Sequence, residues 1–304
     1  MKKIAISLAL LTSVIIASDL PKQYPQGNLG KIIQLGEDIM SNTNTHPLTK
    51  DIVGNQLKCI SCHLPGDDNR AGTRNSIGTF LNVATRYPQY KEREGVTQTL
   101  QDRIDNCFMR SMDGERPIID SKASIAMYTY VTWVSTGSKI NLDTRTNHSK
   151  DFANNLKKFS DIIKKSTHKN YETGKKLFTS QCASCHGTKG EGIGTFPPLW
   201  GKSKDGQWRA YNAGAGMSKL HKAAEWIQAN MPYGQGNTLS IQESADLSLY
   251  INAQERNSFD LSQKLFEIKN KGYYNSKILK EKDTVETNFQ DFGLDLKAIK
   301  KTKI

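Results

Sequence analysis

Two five-residue frames constrain this 304-residue chain more than any other feature: Cys-Ile-Ser-Cys-His, Cys59 to His63, and Cys-Ala-Ser-Cys-His, Cys182 to His186. Cys-x-x-Cys-His is the attachment pattern of c-type haem. Two cysteines three apart can form thioethers to the two vinyl groups of one porphyrin, and the adjacent histidine then reaches the iron. A redox Cys-x-x-Cys followed by a chance histidine would account for one copy but not for two, each preceded by a helix-like segment. A zinc site fits poorly, because the pairs lie about 120 residues apart and each already has its own histidine. The chain is therefore expected to hold two covalently bound haems c, one on Cys59, Cys62 and His63 and one on Cys182, Cys185 and His186.

Both halves read as the same kind of domain. The stretch from Gly27 to Thr43 leads into the first site with Ile32, Ile33, Leu35, Ile39 and Met40 at helical spacing. Asn170 to Gly187 leads into the second, and there helix and motif almost touch. Each half closes on another helix-like stretch, Lys122 to Gly137 and Ser240 to Gln254, with aromatic and small residues along one face. This pattern resembles the class I cytochrome c fold, in which terminal helices cross and loops wrap the haem. The expected fold is thus mainly α, with two class I cytochrome c-like domains in tandem over 19–150 and 151–260. The polar, basic stretch from Gly137 to Ser166 reads as a linker. Residues 261–304 form a basic C-terminal extension without a motif, for which an amphipathic packed tail and a disordered one are both open readings.

The first 18 residues carry two lysines, an apolar run from about Ile4 to Ile16, and small residues at Ala17 and Ser18. That layout predicts a secretory signal peptide over 1–18, cleaved at Ala17 or Ser18, and a periplasmic location. The alternative is an uncleaved anchor, since the −3 position is not small at either junction. The formal charge is +12, and losing Lys2 and Lys3 leaves 12 − 2 = +10. An exported protein has little contact with nucleic acid, so no nucleic-acid partner is expected. Anionic substrates or an acidic redox partner explain the charge better.

A haem held by one histidine needs a second axial group to act as a simple electron carrier. For the second site the candidate is Met231, in a Met-Pro pair just before the last helix and 45 residues after His186. Methionine ligation raises the potential, which suits an electron exit. Met217 is the competitor, and His46, His148, His168 and His221 are expected at the surface. The first half has no such Met-Pro. It has instead the fifth cysteine, Cys107, on a predicted helix whose core stripe is Val96, Leu100, Ile104, Phe108 and Met112. Arg103, Cys107 and Ser111 recur every fourth residue one stripe over, while Met109 points away. A buried, inert thiol is the ordinary fate of a free cysteine. Against it, an odd cysteine in an exported chain requires explanation, and seven of the ten arginines fall between Arg70 and Arg116. Nearby acids offset much of that charge, but guanidinium forks suit oxyanions.

These residues together resemble the dihaem thiosulfate dehydrogenases: two Cys-x-x-Cys-His domains, a cysteine inside "DRIDNCFMRSM" after the first, and Met-Pro after the second. The resemblance covers about residues 25–258. It implies that Cys107 ligates the first haem opposite His63 and is the catalytic sulfur, with Arg93, Arg103 and Ser111 around the substrate. Arg86 and Arg110 are weaker candidates. It further implies oxidative coupling of two thiosulfates to tetrathionate, reversible in some relatives, with electrons passing to the second haem and on to a soluble or membrane-associated c-type cytochrome. Some relatives carry lysine just before the methionine; here Asn230 stands there, so plain His/Met ligation by His186 and Met231 is expected. Two other readings stay open: a sulfur-oxidising haem protein that loads thiosulfate onto a carrier protein, and a dihaem electron shuttle without substrate chemistry.

Overall fold

The structure, a computed structural model, describes residues 23–91, 93–117, 119–140, 142, 150–264 and 282–301. The expected signal peptide over 1–18 and His148 lie outside these residues. In the first half, α1 (Gly27–Ser41) is followed by loops around Cys59–His63, a short hairpin of β1 (Gln89–Lys91) and β2 (Val96–Gln98), α2 (Leu100–Arg110) and α3 (Lys122–Val134). The hairpin is antiparallel, pairing Gln89 with Gln98 and Lys91 with Val96. In the second half, α4 (Lys150–Ile163) precedes α5 (His168–Leu177). A π-type turn then carries α5 into the one-turn α6 (Ala183–His186), and α7 (Leu220–Asn230) and α8 (Ile241–Asn252) complete the domain.

The two domains share one construction principle. α1 packs on α3, and α5 packs on α8. At the first crossing, a Cβ on Gly36 would lie 2.1 Å from the Ala126 carbonyl oxygen and 2.8 Å from the Tyr130 Cβ. At the second, a Cβ on Gly174 would lie 1.9 Å from the Asp246 carbonyl oxygen and 3.1 Å from the Tyr250 Cβ. Only glycine permits backbones this close. In both domains an aromatic residue one turn further along packs beside the crossing. Ile33, Ile39, Met40, Met127 and Tyr130 form the first core, and Phe178, Leu220, Leu247 and Leu249 belong to the second.

α2 starts later than the apolar stripe suggests. The Thr99 side chain accepts from the Asp102 N–H, and Asp102 accepts from the Thr99 N–H at 3.0 Å, a capping box that sets the helix start. Val96 therefore lies in β2, not on the helix. Leu100 and Phe108 enter the first core, whereas Met112, past the helix end, joins Leu57, Ala210, Tyr211 and Ala215 in a small apolar cluster that draws on both halves.

The linker reading of Gly137 to Ser166 is also overturned for its second part. α4 packs on α7 and α8, with Phe159 and Ile163 fully buried. Its polar composition reflects the wide solvent face of an amphipathic helix. In the C-terminal extension, β3 (Phe259–Asp260), α9 (Leu261–Lys264), β4 (Lys282–Asp283), α10 (Val285–Gln290) and α11 (Leu296–Lys300) follow. β4 pairs antiparallel with β3. Phe289, Phe292, Leu294 and Ile299 then enter the second core, His168 Nδ1 donates to the Ile299 carbonyl at 2.8 Å, and Lys300 Nζ donates to the Ala253 carbonyl at 3.1 Å. Over 282–301 the packed tail is the correct reading; 265–281 lie outside the described residues.

The halves are joined by polar contacts between buried groups. Asn212 Nδ2 donates to the Met109 carbonyl at 2.9 Å and to Asp113 at 2.8 Å. Asn257 reaches the other Asp113 oxygen at 2.9 Å. Trp226 Nε1, on α7, donates to the Cys62 carbonyl at 3.0 Å, so a second-domain helix lies directly on the first Cys-x-x-Cys-His segment.

Candidate active site

His63 is prepared as a ligand by its surroundings. Its Nδ1 lies 2.6 Å from the Gly78 carbonyl oxygen. A carbonyl only accepts, so Nδ1 carries the proton and Nε2 keeps its lone pair for a metal. Burial, with a smaller contribution from the Arg103 charge, lowers the His63 pKa to about 4, which keeps the ring neutral. His186 is held in the same way, with Nδ1 2.8 Å from the Pro197 carbonyl oxygen, and burial lowers its pKa too. In both sites a backbone carbonyl fixes the histidine that follows the cysteine pair.

Cys107 faces the first pair. Burial, chiefly, pushes the Cys59 and Cys62 thiols up to about 12, and charge on Cys107 pushes them the same way. Cys107 thus lies within electrostatic reach of both cysteines of the pair, and Arg103 within that of His63. This donor set would suit a haem attached through Cys59 and Cys62, with His63 and Cys107 available as ligands. The half-buried Cys107 accepts from Arg103 Nη1 at 2.8 Å. The Arg103 side chain is exposed. The Cys107 charge, first, raises the Arg103 pKa above its ordinary value. Ser111 caps α2 with helical dihedrals, φ −74° and ψ −34°, and its N–H donates to the Cys107 carbonyl, so it stays one turn beyond the sulfur.

The arginine-rich segment divides into separate jobs. Arg93 Nη2 donates to the Gly214 carbonyl at 2.7 Å, across the domain boundary, and its Nε lies 3.5 Å from Glu94. Arg110, a weaker sequence candidate, is structural: it is buried, 3.5 Å from Glu94, 3.8 Å from Asp283, and stacked 4.3 Å over the Phe259 ring. Arg116 pairs with Asp102 at 2.6 Å, and Arg70 lies 5.1 Å and 4.9 Å from the centres of the stacked Tyr24 and Trp133 rings. Arg86 lies close enough to act on Tyr87 and Lys91. Spacing did not reveal Tyr87, Lys91 and Lys222, which the fold brings into the charge field of Arg103. No periodic signal connects a hairpin lysine, a loop tyrosine and a lysine from the other domain.

At the second site, Met231 caps α7, its N–H bonded to the Ile227 carbonyl at 2.8 Å, and packs against the second core, as does Cys182. Met217 touches that core but also packs in the small cluster with Leu57 and Tyr211. Asn230 is buried and donates to the Ile77 carbonyl of the first domain at 3.1 Å. The histidines expected at the surface are partly buried instead. His46 is hydrogen-bonded by the Leu48 N–H at 3.1 Å, His168 holds the tail, and His221 packs 5.4 Å from the Phe292 ring.

Residues 54–140 match the family described as SoxA/TsdA, cytochrome c domain, and residues 171–255 match cytochrome c. The chain is 32% identical over 237 residues to the thiosulfate dehydrogenase of Thiomonas intermedia, covering 76% of this chain and 68% of the relative. It is 33% identical over 241 residues to that of Allochromatium vinosum, covering 77% and 82%. Among solved structures it is similar to thiosulfate dehydrogenase TsdBA from Marichromatium purpuratum in its as-isolated form. That similarity has a TM-score of 0.62 and 30% identity over 78% of this chain, which spans about half, 48%, of that one. Two cytochrome c domains with two covalently bound haems c account for the paired motifs, the carbonyl-held histidines and the helix crossings. With relatives of this identity and coverage, the chain belongs to the thiosulfate dehydrogenase family.

Proposed function

We propose that the protein is a periplasmic thiosulfate dehydrogenase that joins two thiosulfates into tetrathionate at the Cys107 face of the first domain. The observation that carries this reading is the Arg103–Cys107 contact at 2.8 Å, within electrostatic reach of Cys59, Cys62 and His63. Cys107 and His63 would hold the iron of the first haem, and His186 and Met231 that of the second. Met231 is preferred to Met217 because its apolar contacts lie in the second core alone. When bound, the two haems c supply one-electron acceptance in series, the first domain's to the second's and then to an external c-type cytochrome.

The protein's own residues organise the sulfur chemistry. Thiosulfate is a dianion, and fixed guanidinium donors offset the repulsion of bringing two together. Arg103, aided by Arg93, orients one sulfonate while its terminal sulfur meets the Cys107 thiolate. A bond forms between the Cys107 sulfur and that terminal sulfur with loss of two electrons to the acceptors named above, leaving Cys107 as an S-thiosulfonate, Cys–S–S–SO3⁻. The terminal sulfur of the second thiosulfate attacks the sulfane sulfur of that adduct. This makes the central bond of tetrathionate and releases Cys107 again as thiolate. Dividing the coupling in this way replaces one two-anion collision with two directed steps. Ser111 stands one turn from the sulfur as a hydroxyl donor for substrate oxygens. Run backward, the same steps split tetrathionate.

The test is a Cys107→Gly holoprotein assayed with thiosulfate and ferricyanide alone, with tetrathionate as the measured product. Wild type is expected to turn over without any carrier protein, which separates this reading from thiosulfate loading. The variant is expected to lose turnover while its mass still shows both haems; a fully active variant would overturn the reading.

A further inference from the structure

The carbonyl that orients His63 belongs to a loop held by the second domain. His63 Nδ1 lies 2.6 Å from the Gly78 carbonyl oxygen, and the two residues before Gly78 are both bonded to the last turn of α7. Asn230 Nδ2 donates to the Ile77 carbonyl at 3.1 Å, and Ser76 Oγ donates to the Ala229 carbonyl at 3.3 Å. Gly78 itself lies against Trp226. A Cβ there would stand 3.2 Å from Trp226 Nε1 and 3.0 Å from the Cys62 carbonyl oxygen.

The same helix holds the other partner of the His63–Gly78 bond. Trp226 is buried, and its Nε1 donates at 3.0 Å to the Cys62 carbonyl, part of the peptide unit that joins Cys62 to His63. Leu64, the residue after His63, is buried in the second core. Further along, the Arg74 guanidinium lies 4.5 Å from the centre of the Tyr233 ring, two residues past Met231. One indole nitrogen therefore lies beside both segments that the His63–Gly78 bond connects.

A histidine ligand takes its ring orientation and its donor strength from the hydrogen bond made by its other nitrogen. Whatever holds the acceptor carbonyl at short range therefore acts on the ligand. Here the Gly78 carbonyl comes from the first domain, while the contacts that fix its loop against Cys62 come from the second.

We propose that Trp226, with the Ser76–Ala229 bond beside it, positions His63 from the second domain by keeping the Cys62 peptide and the Gly78 loop at the spacing of a short Nδ1–H···O=C bond. This rests on His63 being an iron ligand, as read above, and not on the sulfur substrate. Docking of the second domain thereby sets part of the donor strength of a first-domain ligand.

The experiment compares wild-type holoprotein with Trp226→Phe, which keeps a flat ring and removes the donor, and with Ser76→Ala. The control is Trp208→Phe, a half-buried second-domain tryptophan whose ring centre lies 4.4 Å from Lys202 Nζ. Each protein is titrated spectroelectrochemically without thiosulfate, and thiolate ligation is followed by electron paramagnetic resonance. The lower-potential wave reports the first haem, because methionine ligation raises the potential of the second. A slackened Gly78 bond makes His63 a weaker donor to oxidised iron and so favours the reduced form. In Trp226→Phe the ratio of reduced to oxidised first haem at a fixed potential is expected to rise about threefold, a shift of about 30 mV for one electron. The second haem is expected to stay at its wild-type ratio. Ser76→Ala is expected to shift the first haem the same way by more than about twofold, and Trp208→Phe to match wild type. A first-haem ratio in Trp226→Phe that rises less than about twofold, or an equal shift at both haems, overturns the positioning role, because packing alone would lower Tm and leave the potentials in place. A wild type without a thiolate-ligated resonance overturns the axial reading of the first site and this role with it. If Trp226→Phe does not retain both haems, Ser76→Ala decides by the same criterion.

Discussion

The contact between Arg103 and Cys107 is a property of two side chains on one helical face, and its chemistry can be tested one residue at a time. A guanidinium can bond the sulfur with one arm and a sulfonate oxygen with the other, whereas an ammonium offers a point charge without the fork. Arg103→Lys is therefore expected to lower kcat/KM on the order of 10²-fold, with both haems retained, because a directed donor at a developing charge contributes that much. Steady-state assays decide it: wild-type kcat/KM in the variant would show that charge alone suffices. This face was legible in the sequence, because four-residue spacing put Arg103, Cys107 and Ser111 in line whatever the helix ends did. The ends were less legible. The apolar repeat ran through Val96 and Met112, but the Thr99–Asp102 capping box begins the helix after Val96. The repeat reports side-chain polarity, and the cap is a backbone event that overrides it.

α7 is the element on which most of the molecule converges. Its first turn carries Lys222, its middle presents Trp226 to the first domain, its end carries Met231, and its His221 supports the tail. Burial, then Lys222 and Lys219, lower the His221 pKa from 6.5 to about 4. The folded protein thus holds His221 neutral where an unfolded chain would protonate it. The stability it contributes is fully present above about pH 6.5 and is lost as pH falls toward about 4. Replacing the ring by His221→Leu is expected to flatten the fall in Tm between about pH 7 and about pH 5. Hydrogen exchange over 285–300 should show the same change, because the ring packs against Phe292. Equal slopes for the two proteins would show that His221 does not set the acid sensitivity. The tail's packing was not legible in its lysine-rich composition, because the four residues that matter, Phe289, Phe292, Leu294 and Ile299, are diluted among charges. Burying one such phenylalanine side chain contributes about 2–3 kcal/mol, enough to hold a short helix in place.

At the scale of the whole molecule, the two domains behave as one structure because Asn212 is buried at their boundary and bonds both Met109 and Asp113. Asn212→Ala removes the donor that those two acceptors share, at a cost of roughly 1–3 kcal/mol. Calorimetry of the holoprotein is expected to show either a lower midpoint, by about 2–8 °C, or two transitions in place of one. An unchanged single transition would mean that the interface is held by its other contacts, such as Trp226 on Cys62 and Asn257 on Asp113.

Local patterns alone determined that this chain builds two helical domains with a haem on each Cys-x-x-Cys-His pair, and that Cys107 shares a face with Arg103. Covalent attachment and helical periodicity both act over a few residues, so short stretches of sequence carry them. Only the tertiary structure decided that α4 and the tail belong to the second core. It also decided that Arg110 and Arg116 pair with acids of the fold, and that Arg93 spans the domain boundary to the Gly214 carbonyl. Those outcomes depend on which distant side chains are brought within a few ångströms of one another, a condition that burial and packing impose on the folded chain and that linear spacing does not contain.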